Sequence, residues 1–388
     1  MRSRLPGILI LFVLLLIAIA AWFVLPRAER AGGPLKLTRV SYADLPGWRF
    51  GEAQGALAAF RRSCAVILRA PANLELGGYA SRAADWQGVC GAALKSGEVA
   101  PRQFFEGNFT PFEIRGEPLF TGYYEPLLRG SRARHGAFRT PVYGRPHDLV
   151  SVDLGEFRPE WKGERLAGRV SDDHLVPYAT RAEIDALPPA APVLFYCDDP
   201  VAVFFLHIQG SGRVVLDDGA IIRVTYAAQN GRPYTAIGRT LVRAGRLARD
   251  DLSMQAIRAW LKSHPTAARQ VMETDQSFVF FREAPIGDPS LGSAGAEGVP
   301  LTPRTSIAVD QRYHTLGAPF FIATTTPDGA PLQKLSIAQD SGGAIRGPAR
   351  ADIFFGFGPN AERLAGGMKS SGRFFVLLPN ALAAKVAQ

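Results

Sequence analysis

Cysteine is scarce in this chain, with three in 388 residues, at positions 64, 90 and 197, and no Cys-x-x-Cys pair among them. So low a count excludes a disulfide-dense scaffold, and the missing pair excludes a thiolate zinc site of the usual spacing. The six histidines (135, 147, 174, 207, 264 and 314) show no metal-ligand spacing either. Ser171-Asp172-Asp173-His174 carries ligand residue types but reads as a solvated turn, and no metal is expected there. A Gly-x-Ser-x-Gly elbow is absent around Ser211, and Gly210-Ser211-Gly212 lacks the neighbouring pattern of a phosphate loop. No solenoid-type repeat appears, and no second long apolar run follows the N-terminal one.

What is present describes a folded, exported protein. A composition of 47% hydrophobic and 20% charged residues supports one large core or two moderate ones, and two domains are expected. The formal charge of +9 favours an acidic partner: nucleic acid, anionic lipid or a carboxylate-bearing polymer. Residues 1–4 form a basic lead and residues 7–25 an apolar run ending at Pro26-Arg27. That run has about the length of a membrane span, yet Ala18-Ile19-Ala20 also reads as a cleavage site after a signal segment. Under either reading Arg2 and Arg4 stay cytoplasmic and the rest is exported. Dispersed arginines and an exported setting argue against nucleic acid as the partner. In an oxidising compartment Cys64 and Cys90, which flank a short helical region, either pair or stay as buried thiols, with Cys197 left over.

Leu57, Phe60, Cys64 and Ile67 recur at helical spacing, so residues 52–69 read as an amphipathic helix stopped by Pro71. A second helix is expected over residues 85–95. Residues 104–129, rich in aromatics, Gly and Pro, read as strands and tight turns, and residues 141–192 as turn-rich and charged with a short helix behind Thr180. Residues 202–208 read as an apolar strand, followed by a hairpin across Asp217-Asp218-Gly219. Residues 253–261 and 266–272 read as helices, residues 278–281 as a strand, and residues 285–304 as a surface loop. Short strands at 306–309, 319–323, 335–338, 353–355 and 374–378 complete a mainly β chain with α elements, an α+β fold ending in a small β-barrel.

Two aspartates stand out near the end. Asp340 precedes Ser341-Gly342-Gly343, and twelve residues later Asp352 is followed by Ile353-Phe354-Phe355. A carboxylate among apolar strand residues needs a partner or a purpose, and desolvation raises its pKa into the range of a general acid. Asp340 is either a turn-capping residue or the partner of Asp352. Glycoside cleavage needs an acid plus a nucleophile, a base for water, or a group on the substrate itself. Thr121-Gly122-Tyr123-Tyr124 and His207-Ile208-Gln209-Gly210-Ser211-Gly212 supply residue types that stack on sugars and bond hydroxyl and N-acetyl groups; each is also ordinary packing or turn chemistry.

In that order, Phe120-Thr121-Gly122-Tyr123-Tyr124-Glu125-Pro126, Ile208-Gln209-Gly210-Ser211-Gly212, Asp251-Leu252-Ser253-Met254-Gln255-Ala256-Ile257-Arg258, Ser277-Phe278-Val279-Phe280-Phe281 and the Asp-rich close resemble the family of membrane-bound lytic murein transglycosylase A, over residues 104–378. The resemblance implies a peptidoglycan exotransglycosylase that leaves 1,6-anhydromuramyl ends and needs no cofactor. It implies a double-psi β-barrel catalytic domain with an inserted second β-rich domain and a glycan groove between them. On this chain residues 1–30 would be the signal or anchor segment, residues 31–125 plus 282–388 the catalytic domain with its N-terminal helices, and residues 126–281 the insert. Asp352 falls on the single acid/base position, Asp340 on its supporter, and Asp310 on a third acidic position. Thr121, Gly122, Tyr123, Gln209, Gly210 and Ser211 would line the groove. Unlike the family's lipoproteins, this N-terminus has no cysteine for a lipid, so the apolar segment itself would supply any membrane attachment. A periplasmic location follows, with peptidoglycan strands as substrate and other cell-wall enzymes as candidate partners. A non-catalytic peptidoglycan-binding scaffold and a hydrolytic glycosidase stand as alternatives.

Overall fold

The computed structural model describes residues 34–386 apart from residues 51, 52, 54, 159, 160, 162 and 163. The expected signal or anchor segment lies outside the described residues. Among the described residues no helix is long and apolar enough to cross a membrane.

The chain is mixed α+β and dominated by three sheets. The largest has nine strands, in the spatial order Leu37–Arg39, Phe109–Ile114, Arg373–Pro379, Pro319–Thr325, Pro331–Asp340, Ser306–Val309, Arg350–Phe357, Leu119–Glu125 and Lys369–Ser370. Most of its neighbours run antiparallel, but Ser306–Val309 with Pro331–Asp340, and Arg350–Phe357 with Leu119–Glu125, run parallel. A six-stranded sheet orders Val279–Ala284, Ile221–Gln229, Ser211–Leu216, Leu127–Ser131, Val193–Cys197 and Thr140–Tyr143. A small three-stranded sheet holds Val150–Asp153, Arg165–Ser171 and His174–Pro177.

Alternation decides which faces are buried. In Arg373–Pro379 six of seven residues are buried, because the strand is covered on both faces. The helix Ala56–Ile67 lays Leu57, Phe60, Cys64 and Ile67 on this core, and Phe60 packs against Phe104, Phe105 and Phe109 at ring separations of 5.5–6.2 Å. A disulfide joins Cys64 to Cys90 of the helix Ala83–Lys95, with Cα atoms 4.9 Å apart; Cys197 is free and buried.

The segment expected as a strand over residues 202–208 is a helix, Pro200–Gln209. An unbroken apolar run carries no period to tell the two apart, so its ends decide. Asp199 accepts from the amides of Val201 and Ala202, Pro200 fills the first turn, and Gly210 closes the helix at φ 76°. The helix Pro101–Asn108 likewise takes the first residues of the segment read as strands and turns, again with proline in its first turn. Asp172 and Asp173, both at positive φ, form the two-residue turn of a hairpin that pairs Ser171 with His174, in keeping with the solvated turn expected there.

The 26-residue separation of the disulfide cysteines sets its expected contribution at about 3 kcal/mol through the unfolded chain. A Cys64→Ser, Cys90→Ser variant is expected to unfold at correspondingly lower denaturant concentration in urea melts followed by circular dichroism; an unchanged midpoint would show that the link contributes nothing.

Candidate active site

Five strands of the large sheet bring one residue each to a common row. Ala308 pairs with Asp340 on one side and Asp352 on the other; Asp352 pairs with Thr121, and Thr121 with Lys369. Cross-strand partners project to the same face, so the row runs Asp340, Ala308, Asp352, Thr121, Lys369 along it. With strands about 4.8 Å apart, the aspartate Cα atoms lie about 10 Å from each other, with only an alanine methyl between.

A bulge makes this alignment. Ile307 pairs with Ala338 but Ala308 with Asp340, so Gln339 is passed over. The Gln339 side chain, 0% exposed, turns into the core, where its Nε2 donates to the Ala59 carbonyl (3.0 Å) and Ser63 Oγ (2.9 Å) and its Oε1 accepts from Ser306 Oγ (2.6 Å).

The two carboxyls have different surroundings. Asp352 Oδ1 accepts one hydrogen bond, from Thr121 Oγ1 at 2.7 Å. Desolvation dominates and pushes its carboxyl up to about 6, against the Thr121 hydrogen bond and the Arg350 charge; the Asp340 charge adds to the rise. Arg350 donates from Nη2 to Thr121 Oγ1 at 2.8 Å, which commits the single Thr121 hydroxyl proton to Asp352. Asp340 takes three donors: the Tyr123 hydroxyl on Oδ2 at 2.8 Å, and the amides of Ala296 and Ser341 on Oδ1, each at 2.8 Å. Burial raises Asp340 too, and those donors oppose it. Tyr123 also packs on Phe354 at 5.2 Å, and burial followed by the Asp340 charge holds its phenol protonated.

Of the residues expected at the site, Asp340, Asp352, Thr121 and Tyr123 come together. Gln209 joins them indirectly: its Oε1 accepts from the amide of Tyr124 at 3.0 Å. Gly122 is a packing position, since a Cβ there would lie 2.6 Å from Phe355 and 2.8 Å from the Ala365 Cα. Gly210 caps its helix with open space beside it, and Ser211, 8% exposed, opens a strand of the six-stranded sheet. Asp310 is committed to its own loop, accepting from Arg312 Nε (3.0 Å) and Nη2 (2.6 Å) and from the Gly347 amide (2.8 Å), and these bonds lower its pKa against desolvation. Among the described residues no group of three or more His, Cys, Asp or Glu is placed to hold a metal.

Sequence reading passed over Arg350, although its position two residues before Asp352 puts both on one face of a strand. Ala296 lies in the surface loop expected over residues 285–304, and its contribution is a backbone amide that no side-chain pattern marks.

Comparison with known proteins gives a consistent picture. Residues 119–282 match the family described as the MltA specific insert domain, and residues 305–378 the 3D domain. The membrane-bound lytic murein transglycosylase A of Escherichia coli K12 is 32% identical over 273 residues, covering 68% of this chain and 66% of that protein. The crystal structure of a membrane-bound lytic murein transglycosylase from Agrobacterium tumefaciens superposes with a TM-score of 0.79 at 35% identity, covering 90% of this chain and 99% of that one. Escherichia coli MltA with bound chitohexaose superposes with a TM-score of 0.64 at 26% identity, covering 91% and 97%.

The raised pKa of Asp352 makes its charge a cost to folding. Below pH 4 it is protonated in both states and contributes nothing. Between about pH 4 and 6 the unfolded chain releases the proton while the folded one keeps it, so stability falls as pH rises, by about 3 kcal/mol at pH 7. An Asp352→Asn variant is therefore expected to melt a few degrees above the wild type at pH 7 and level with it at pH 4 in calorimetric scans. A lower melting temperature at pH 7 would contradict this.

Proposed function

The chain belongs to the membrane-bound lytic murein transglycosylase A family, and from that premise we propose that it is a peptidoglycan lytic transglycosylase in which Asp352 is the single acid and base. The observation that carries this reading is the seat of Asp352: the Thr121 hydroxyl as donor, apolar strand neighbours and a carboxyl pushed up to about 6, so that the proton is kept to about pH 6, well above the range of a solvated carboxyl. The chain spans 66% of the length of the curated relative it matches, which leaves its activity and substrate in the proposal.

The Asp352 carboxyl gives its proton to the oxygen linking N-acetylmuramic acid to N-acetylglucosamine, and the bond from that oxygen to the muramyl C1 breaks. The departing N-acetylglucosamine keeps the proton as its C4 hydroxyl. Positive charge develops at C1, where the N-acetyl group and the Asp340 carboxylate stabilise it. Asp352, now a carboxylate, takes the proton of the muramyl C6 hydroxyl as that oxygen closes on C1. The 1,6-anhydro ring forms, Asp352 recovers its proton, and no water is consumed. A retaining hydrolase needs a second carboxyl about 5 Å from the first. An offset of two strands, with Asp340 held by three donors, favours a supporting role for Asp340 instead.

We read residues 31–125 with 282–388 as the catalytic domain and residues 126–281 as its insert, with the glycan in a groove between them. The two parallel pairings within the large sheet support a double-psi arrangement of its strands. Tyr123, Gln209 and Ser211 lie along that groove, and the chitohexaose bound by the Escherichia coli protein supports a glycan as the ligand. The N-terminal apolar segment makes the protein periplasmic, held at a membrane if the segment is retained.

Incubating peptidoglycan with the wild type and with Asp352→Asn, followed by mass spectrometry, is expected to give anhydromuramyl ends from the wild type alone. Reducing ends would indicate hydrolysis, binding without products a scaffold, and full activity in the variant would remove Asp352 from its role.

The pH dependence is a separate test. The rate of the free enzyme is expected to fall tenfold per pH unit above about 6, as Asp352 loses its proton. In Thr121→Val the carboxylate loses the hydroxyl that lowers its pKa, so this limb should move to higher pH. A limb that stays in place would sever Thr121 from the titrating group.

A further inference from the structure

The row through the site continues beyond Asp352 into positive charge. Thr121 pairs with Lys369 on the two-residue strand at the edge of the large sheet, so the Lys369 side chain leaves the same face as Thr121 and Asp352. Arg350, two residues before Asp352 on its strand, shares that face. The cations thus flank Thr121 on the side of Asp352 away from Asp340.

Neither cation is held in an ion pair among the described residues, although the charges of Arg350 and Asp352 attract each other. Arg350 Nη1 donates to the carbonyls of Leu119 (3.1 Å) and Ala351 (3.0 Å), and Nη2 to Thr121 Oγ1 (2.8 Å). All three acceptors are uncharged, and among the described residues Arg350 has no carboxylate within ion-pair distance. These bonds fix the plane of a half-buried guanidinium, whose charge burial disfavours. Lys369 is exposed and makes no side-chain hydrogen bond or ion pair among the described residues. Other cations of the chain are differently placed: Arg373 pairs with Glu113, Arg312 with Asp310, Arg363 with Asp328 and Lys385 with Asp85. A pre-oriented guanidinium with an unpaired ammonium across one threonine is a seat for an anion.

Resting on the transglycosylase reading, we infer that Arg350 and Lys369 form a carboxylate subsite beside Asp352 that engages the lactyl-peptide arm of the muramyl unit. Muramic acid carries a lactyl ether whose carboxyl is either free or continued as a peptide with carboxylates of its own. N-acetylglucosamine carries none. A cationic seat next to the acid therefore places a muramyl unit, rather than its neutral neighbour, over Asp352, and so selects the bond to be cut. It also separates charges of opposite effect: the cations hold the substrate's anion, while Asp340 lies two strands away where positive charge develops.

The test uses Lys369, which is exposed and outside the core, in the full-length protein. KM and kcat are measured for Lys369→Gln on denuded glycan strands, with free lactyl carboxylates, and on peptide-bearing strands. Chitohexaose, which has no carboxylate, is the neutral probe, its Kd measured calorimetrically. The expected result is a KM raised about fivefold on at least one charged substrate with kcat reduced less than twofold, and a chitohexaose Kd within twofold of wild type. Lys369→Arg should restore KM, and Lys369→Glu should raise it further. A KM shift confined to denuded strands assigns the seat to the lactyl carboxylate, and one confined to peptide-bearing strands assigns it to the peptide. Unchanged KM on both, or an equal loss of chitohexaose affinity, overturns the subsite. If the wild type yields no anhydro products, the transglycosylase reading fails, and the Kd of denuded strands against chitohexaose for wild type and Lys369→Gln still decides whether a carboxylate is bound there.

Discussion

The face that carries Asp340 and Asp352 rests on the burial of one amide. Gln339 is the extra residue of a bulge, and its side chain is satisfied only inside the core, between Ala59, Ser63 and Ser306. Unbonded, a buried amide costs about 1–3 kcal/mol, so the three bonds hold the bulge in register. With the bulge in place, Asp340 stands opposite Ala308 and in line with Asp352. Slipped by one residue, the strand would send Asp340 to the opposite face. Two of the three partners lie on the helix Ala56–Ile67, whose last turn carries the disulfide to the helix Ala83–Lys95. A cross-link some 276 residues before Asp340 in the chain is thus tied, through Ser63 and Gln339, to the strand that carries that carboxyl. Glu297 belongs to the same cluster: it accepts from Ser63 Oγ at 2.6 Å, and burial pushes its carboxyl up to about 7.

From that alignment the two aspartates acquire different chemistry through their donors. Both are desolvated, which favours the neutral acid. Asp340 meets three donors, two of them backbone amides that cannot rotate away, and each bond favours its ionised form. Asp352 meets one hydroxyl, oriented by Arg350, and keeps its proton to a higher pH than a solvated carboxyl. The inequality needs no difference in residue type. It follows from where the loop at Ala296 and the strand Leu119–Glu125 deliver hydrogen-bond donors.

Much of this was legible in the sequence. Ser306–Val309 was expected to the residue, the C-terminal strands were located within a few residues, and Asp340, Asp352, Thr121 and Tyr123 were chosen together. Period-2 runs and glycine or proline punctuation carried those elements. Pro200–Gln209 is a helix and not the expected strand because the six apolar residues Val201–Leu206 have no period, and its identity lay in Asp199, Pro200 and Gly210 at the ends. The bulge was out of reach: whether Gln339 faces in or out depends on Ala59 and Ser63, some 280 residues away in the chain. Ala296 acts through a backbone amide, which no side-chain pattern reports. Arg350 and Lys369 acquire meaning only through strand register, which places them beside Thr121.

What fixes the two large sheets against each other is a buried ion cluster just beyond the site. Glu125, 0% exposed, ends the strand that carries Thr121 and Tyr123; its Oε2 accepts from Arg213 Nε at 2.8 Å and Arg223 Nη2 at 3.4 Å, on two strands of the six-stranded sheet, with Arg223 Nε in ion-pair contact with Oε1 at 2.9 Å. The same arginines donate to the carbonyls of Pro289 and Leu291, and Arg213 lies 3.6 Å over the Phe357 ring at the end of the Asp352 strand. Desolvating a carboxylate and two guanidiniums is expensive, and apolar residues of similar volume would serve stability as well. An apolar contact, however, tolerates sliding, whereas a carboxylate held by two forks and a stacked ring does not. The cluster clamps together the strand beneath the acid, the strand that bears it, the sheet that follows Gln209, and the stretch leading to Ala296. The reaction proposed for Asp352, in which one glycosidic oxygen meets one proton, needs that fixed spacing more than it needs the stability.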